Sequence, residues 1–446
     1  MLLYTVDKTL TFYLRAAMNS GVCADPEPLL SPPQIQLLQS PCVSLTVGPG
    51  LSSQHLEQIC ILTSLTYLRL QITMADSERT MTGMPMDSLT KLQVLNELKL
   101  SFPLGLPLLL PKLPSLQSLT IGPGLSSQHL LQICTLTGLT YLQLQFTKND
   151  PEITMKGMDS LTDLQVLNEL KLSCPPRLPL LLSKLASLES LTVAPRTAAT
   201  LDLSALTQVC SLRLGQGYHR EIRVPVVLPV GPEACLSALA IHMLCDIQNL
   251  HEANNLTQIE VSVKPGIMHA VSWPTALPHL HCLTVRQDVD RHTLPHHYMS
   301  PLMLPPYAMP PYPCMLPDEW QHYTQLKVIC LHHYLNCSLP VWFSKLQQLN
   351  VLSMPDAWMN EVPECLFQLL ELQHLDLSRF QGLLTMPIVK IADLPQLTYL
   401  KFGTLRHTVP HDEQAVLLDL DTALSKRELK LKKEHPNEWT YVLDSC

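Results

Sequence analysis

Leucine recurs along this chain in a short unit, L-x-x-L-x-L, which first appears complete at Leu65, Leu68 and Leu70. The unit begins again at Leu95, Leu116, Leu139, Leu167 and Leu188, and in more divergent form at Val209, Leu236, Leu256 and Leu280. Four further copies start at Leu326, Leu349, Leu372 and Leu397, and a partial copy, Leu45-x-Val47, precedes them all. In each unit the last two apolar residues are two apart, so they share one face of a short strand while the residue between them points the other way. Successive copies start about 20 to 30 residues apart, except for one gap of 46 between Leu280 and Leu326. A short period of this kind predicts stacked coils. Each coil contributes one strand to a parallel sheet and returns on the opposite side of a continuous leucine interior. One coil alone cannot bury enough apolar surface to offset the ordering of its backbone, so only the stack is stable.

An internal duplication reinforces the pattern. LTVGPGLSSQHLEQIC at Leu45 to Cys60 returns 74 residues later as LTIGPGLSSQHLLQIC at Leu119 to Cys134, and LQVLNELKLS occurs at Leu92 to Ser101 and at Leu164 to Ser173. The two blocks span 42–115 and 116–187. Gly-Pro-Gly at 48–50 and 122–124 follows a strand where the chain must turn, and is not a phosphate loop.

On these residues the chain resembles leucine-rich repeat proteins over roughly Cys42 to Gly403. Copies such as Leu339-Pro340 followed by Leu346 and Leu349, and Val362-Pro363 followed by Leu369 and Leu372, are similar to the intracellular repeats of Ras-pathway scaffolds and plant disease-resistance proteins. The resemblance implies an α/β solenoid: a curved arc with a parallel β-sheet on its concave face and irregular or helical return segments on its convex face. One departure stands out. Where the family places asparagine, three residues after the strand's last leucine, this chain has Thr73, Thr147, Pro175 and Phe380, which implies less regular turns.

Five segments follow from this pattern: a 1–41 cap and linker, a first array over 42–286, a Pro/His-rich insertion at 287–317, a second array over 318–404, and a 405–446 cap helix with a charged tail. Thr9 to Met18 is expected to form a short helix, and the prolines from Pro26 to Pro33 a linker. Asp412 to Leu424 has a helical apolar pattern, and Lys426 to Glu434 reads as a solvated tail. The insertion is too proline-rich for a central strand; it is expected as a variable surface loop, with a ligand for a domain that reads proline-rich segments or a lid over the concave face as the functional alternatives.

Composition narrows the function. Apolar residues make up 46% and charged residues 15%, with a net charge of −8 and the signs interspersed, so no basic stripe suits nucleic acid. Asp7, Lys8 and Arg15 interrupt the first apolar run, and Pro225, Pro229, Gly231, Pro232 and Glu233 interrupt Val224 to Leu244, so neither a signal peptide nor a membrane span is expected. Fourteen scattered cysteines, with no C-x-x-C pair, fit a reducing compartment and a cytoplasmic location, although Cys23 and Cys42 remain a candidate bridge. His296-His297 and His332-His333, with Cys314, Cys330 and Cys337 nearby, lack the ligand spacing of a zinc site. Neither a phosphate-binding loop nor a kinase or hydrolase signature occurs. No catalytic residue, cofactor or metal is therefore assigned.

The candidate functional residues lie at the outward positions of the strand units. In the two duplicated blocks these are Tyr67, Arg69, Glu97 and Lys99, then Tyr141, Gln143, Glu169 and Lys171; Arg213, His374, Tyr399 and Lys401 extend the rows. Tyrosine beside arginine is the residue usage of protein contact hot spots. The expectation is a non-enzymatic scaffold or adaptor that binds a protein or peptide, in a signalling or defence-type recognition role that the resemblance implies. The alternatives are a recognition fragment of a larger receptor and, less favoured, a metal-assisted hydrolase using 292–337.

Overall fold

The computed structural model describes residues 2–6, 9–14, 44–47, 57, 59–71, 86–101, 112–147, 158–173, 175, 182–195, 200–215, 224–243, 245–263, 272–287, 316–332, 339–355, 357, 362–380, 386–404, 411–426, 429–435 and 438–443. The insertion from 288 to 315, the Pro26 to Pro33 linker, Cys23, Cys42, His296 and His297 lie outside them. The chain divides into two compact units, Met1–Arg196 and Thr197–Cys446.

The first unit contains strands β1 (Leu2–Val6), β2 (Thr9–Leu14), β3 (Ser44–Val47), β4 (Tyr67–Leu70), β5 (Glu97–Leu100), β6 (Ser118–Ile121), β7 (Tyr141–Gln145), β8 (Glu169–Ser173) and β9 (Ser190–Ala194). From β2 to β9 each strand pairs in parallel with the next, so sequence order is sheet order. The register is that of the repeat: Leu45, Leu68, Leu98, Leu119, Leu142, Leu170 and Leu191 form one ladder, and Val47, Leu70, Leu100, Ile121, Leu144, Leu172 and Val193 the next. Every one of these side chains is buried.

Each coil closes in the same way before its strand. Leu65, Leu95, Leu139 and Leu167 donate their N–H to the carbonyl three residues back, turning the chain into the sheet. One carbonyl of each coil then accepts two N–H groups from the next, as Thr66 does from Asn96 and Glu97 and Thr140 from Asn168 and Glu169. Backbone groups are thus satisfied coil to coil, which lets the return segments differ in length without disturbing the strands. Among the described residues those returns include short 3-10 turns, such as Met86–Lys91 and Ser160–Asp163, and helix α1 (Ser127–Ile133). Helix α1 starts with a reciprocal cap: the Ser126 hydroxyl accepts from His129 N–H, and the His129 ring accepts from Ser126 N–H at 3.0 Å.

The expected helix from Thr9 is instead strand β2, antiparallel to β1 and parallel to β3. Thr9, Thr11, Phe12 and Tyr13 are β-branched or aromatic, and the exposed edge of β3 offers a ladder to complete, so pairing prevails over the weak helical pattern.

The second unit continues the same plan with β10 (Leu201–Asp202), β11 (Ser211–Leu214), β12 (Val224–Val227), β13 (Ala238–Ile241), β14 (Cys245–Ile247), β15 (Gln258–Val263), β16 (Cys282–Gln287), β17 (Val328–His332), β18 (Val351–Ser353), β19 (His374–Phe380) and β20 (Tyr399–Thr404). β11, β13, β15, β16, β17, β18, β19 and β20 form the parallel sheet. β10, β12 and β14 form a second, three-stranded parallel sheet on the return segments. The leucine pattern does not announce this small sheet. Its residues Val224 and Val226 belong to the proline-broken apolar run that fails as a membrane helix, and they are buried. Pro340 and Pro363 each precede a 3-10 turn, where their missing N–H costs nothing.

Helix α2 (His411–Ser425) covers the expected segment and buries Val416, Leu420 and Leu424 at helical spacing. The segment expected as a solvated tail is instead β21 (Leu429–His435), which forms a hairpin with β22 (Glu438–Leu443). β22 pairs antiparallel with β20 and so ends the row of parallel strands. An unpaired last strand would expose a template for aggregation, and the hairpin occupies it.

Candidate functional site

The outward positions of the first unit stand in rows across the sheet. Tyr67, Glu97, Ser118, Tyr141, Glu169 and Ser190 lie opposite one another in strand order, and so do Arg69, Lys99, Thr120, Gln143, Lys171 and Thr192. These rows match the sequence expectation.

Within the rows a cluster of three side chains occurs twice. Lys99 Nζ lies 2.8 Å from Glu97 Oε1 and 5.2 Å from the centre of the Tyr67 ring on the neighbouring strand. In the second copy Lys171 Nζ lies 2.8 Å from Glu169 Oε1 and 4.9 Å from the centre of the Tyr141 ring. Tyr141 also donates its hydroxyl to Gln143 Oε1 at 2.9 Å. The Glu97 carboxylate holds the Lys99 ammonium above the ordinary lysine range. For Lys171, partial burial works against the charge, but bonds to Glu169 and the Tyr141 hydroxyl outweigh it and the pKa is again raised. Both lysines are therefore firmly cationic and held over an aromatic face, an attraction worth about 0.5–1 kcal/mol at an exposed site.

Tyr67 and Tyr141 are three ladder steps apart, about 14 Å at ordinary strand spacing. Next to the first cluster, β6 carries only Ser118, Thr120 and, just past the strand, Gly122 outward, so a low floor separates the two clusters. The Thr120 hydroxyl in that floor is buried with no hydrogen-bond partner among the described residues. Gly122 is required there: a Cβ would meet the Ser101 carbonyl oxygen at 2.0 Å. Arg69 is exposed.

In the second unit, Arg213 lies on β11, His374 on β19 and Tyr399 and Lys401 on β20. His374 and Tyr399 stack with ring centres 5.5 Å apart. Arg213 is separated from this pair by several strands and does not join it. It belongs instead with His242, just past the adjacent β13; Glu260 on β15 and Arg286 on β16 also act on that histidine, a group the sequence does not suggest because each residue comes from a different coil. Arg286 Nε lies 3.0 Å from Glu260 Oε1.

Among the described residues no group of three or more His, Cys, Asp or Glu is placed to hold a metal ion, and no helix is long and apolar enough to cross a membrane. Most of the 292–337 segment considered for hydrolysis lies outside the described residues. Cys60 and Cys134, at equivalent duplicated positions, are buried thiols whose pKa burial pushes up to about 12.

The repeated strand unit, its parallel register and its buried leucine ladders define a leucine-rich repeat fold in each unit. No family model and no curated protein matches the chain. Solved structures similar to it include a leucine-rich repeat protein of Leptospira interrogans, with 16% identity over 82% of this chain and 91% of that one at a TM-score of 0.37. An internalin of Listeria monocytogenes is similar at 16% identity, with 86% of this chain and 87% of that one covered and a TM-score of 0.36. The plant peptide hormone receptor RGFR1 in complex with RGF2 is similar at 16% identity, over 80% of this chain and 54% of that one, with a TM-score of 0.33.

Proposed function

We propose that this chain is a non-enzymatic scaffold that binds a protein or peptide across the outward face of its parallel sheet. The observation that carries this reading is the duplicated Tyr–Glu–Lys cluster of the first unit, in which two tyrosine rings and two fixed ammonium groups flank a floor of small residues. Aromatic anchors that a cation already holds lose little rotamer freedom on binding, which favours a specific contact. Tyr67, Arg69, Glu97, Lys99, Tyr141, Gln143, Glu169 and Lys171 form this surface in the first unit; Arg213, His374, Tyr399 and Lys401 serve the second. The partner is a protein rather than nucleic acid, since carboxylates neutralise the lysines of the clusters. A cytoplasmic setting and a part in recognition or signalling complete the proposal; the singly scattered cysteines, with no C-x-x-C pair, suit that compartment.

The test is a partner captured by the native chain and then measured against a Tyr67→Ala/Tyr141→Ala variant. Affinity is expected to fall at least about tenfold, since aromatic hot spots carry about 2 kcal/mol or more each, while the melting curve stays close to native. Unchanged affinity in a folded double variant overturns the assignment of this surface.

A further inference from the structure

We infer that Arg213, His242 and Arg286 form a site for a single carboxylate group on the outward face of the second unit. Four neighbouring strands build it: Arg213 stands on β11, His242 just past β13, Glu260 on β15 and Arg286 on β16, opposite Ser262 of β15. Arg213 on β11 lies directly opposite Ala240 on β13, which lies opposite Glu260 on β15. Ala240 is too short to reach either neighbour, so a gap two ladder steps wide, about 10 Å, opens between the guanidinium of Arg213 and the carboxylate of Glu260. His242 follows two residues after Ala240 and so shares its face. Its backbone continues the ladder, with His242 N–H donating to Leu214 O at 2.7 Å. Gly215, at φ +88°, permits that close approach, since a Cβ there would stand 3.0 Å from the His242 carbonyl.

Two features of the cluster point to an absent ligand. The His242 Nε2 atom is buried with no hydrogen-bond partner among the described residues. An orphaned polar atom of this kind costs free energy in the unliganded fold and is recovered when a ligand oxygen meets it. The second feature is the state of the arginines. Arg286 uses Nε for Glu260 and remains 55% exposed, and Arg213 is exposed with no hydrogen bond or ion pair among the described residues. Guanidinium donors of this kind match the two oxygens of a carboxylate.

The charge balance selects the ligand class. Burial and the two arginines hold the His242 imidazole neutral by lowering its pKa, against the opposing pull of Glu260. Two guanidiniums and one carboxylate then leave a net single positive charge, which suits one carboxylate and disfavours a phosphate dianion beside Glu260. The inference rests on the protein-binding reading only for the owner of that carboxylate: a chain terminus or an acidic side chain of the partner.

The experiment uses the full chain, isotope-labelled at histidine Cε1, with the His242 resonance assigned by its loss in His242→Gln. N-acetylglycine, acetate, inorganic phosphate and chloride are titrated at constant ionic strength, with N-acetylglycinamide as the uncharged control. A saturable shift of His242 with N-acetylglycine and acetate, absent with chloride and the amide, is expected. Arg213→Gln should weaken it at least about fivefold, as loss of a charge-assisted pair does, and Glu260→Gln should tighten it by removing the competing carboxylate. Both substitutions are expected to leave the melting curve near native. No saturable shift, an equal response to chloride, phosphate binding as tight as acetate, or an Arg213→Gln variant that titrates like the native chain each overturns the proposal. Such a failure leaves the first-unit surface standing, because that surface is tested separately through Tyr67 and Tyr141.

Discussion

Leu170 and Lys171 are consecutive residues of β8, and together they test the register on which every face assignment depends. Leu170 is 0% exposed and lies in the ladder between Leu142 and Leu191. Leu170→Ala removes its isopropyl group from a position whose neighbours are fixed by parallel pairing on both sides, so the cavity collapses poorly. The expected loss is about 2–5 kcal/mol. Lys171→Ala removes an ion pair with Glu169 and a cation over the Tyr141 ring, but the side chain is 27% exposed and solvent screens both interactions. Its expected cost is about 1 kcal/mol or less. Urea unfolding gives the global effect, and hydrogen exchange across β7, β8 and β9 gives the local one, which is the more informative measure because adjacent coils stabilise one another. Leu170→Ala should speed exchange in all three strands and Lys171→Ala in none. Equal costs, or a larger cost at Lys171, would mean a one-residue slip that exchanges the interior and outward faces and removes the proposed surface.

Three further outcomes follow from local geometry. Gly122→Ala should destabilise by about 1–3 kcal/mol, as overpacking does, because its Cβ would strike the Ser101 carbonyl; Gly138→Ala, with open space around it, should be neutral or slightly stabilising in the same thermal melt. Burial holds the His129 imidazole below its ordinary value, so as pH falls the unfolded chain takes up that proton first. The residue is therefore silent above about pH 6.5 and costs stability below it; His129→Gln, which keeps an acceptor at the helix start, should flatten the fall in melting temperature between pH 7 and 5, leaving the part due to His242, whose pKa is lowered likewise. Cys60 and Cys134, with thiols pushed up to about 12, should resist iodoacetamide at pH 8 while exposed Cys235 reacts; alkylation of all three at one rate, read by mass spectrometry, would refute the packing around them.

The array was legible because its main cause is local. Leucines two and three apart set both the strand and the buried face, and parallel stacking then makes each outward residue the neighbour of its equivalent one coil away. The Tyr67, Glu97 and Lys99 cluster could be read in this way, since Glu97 and Lys99 share a strand and Tyr67 sits at an equivalent place in the preceding coil. The terminal strands were less legible. Their pairing is decided by an unfilled sheet edge rather than by their own periodicity, so β2 looked helical and β21 looked like a charged tail. The small sheet of β10, β12 and β14 was hidden because return segments follow no repeat of their own. The group around His242 escaped notice because it depends on a missing side chain: Ala240 leaves the gap that lets Arg213, Glu260 and His242 act on one another.

The duplication bears on function as well as on fold. A stack of coils requires the inward leucines to recur, but it places no such demand on exposed tyrosine, glutamate and lysine, whose mutual attractions amount to about 1 kcal/mol per pair. Copying alone accounts for their presence twice, so the informative positions are those where the copies differ. Arg69 in the first copy stands where Gln143 stands in the second. Gln143 accepts the Tyr141 hydroxyl and adds no charge. Arginine has no acceptor to offer, so the Tyr67 hydroxyl is left to Lys99, and the first cluster carries one positive charge more than the second. The two clusters therefore present the same aromatic and ammonium groups to a partner with different electrostatic weight. On the proposed reading, a ligand that spans both should be oriented by that difference, with its more acidic end over Arg69, even though the shapes of the two halves are alike.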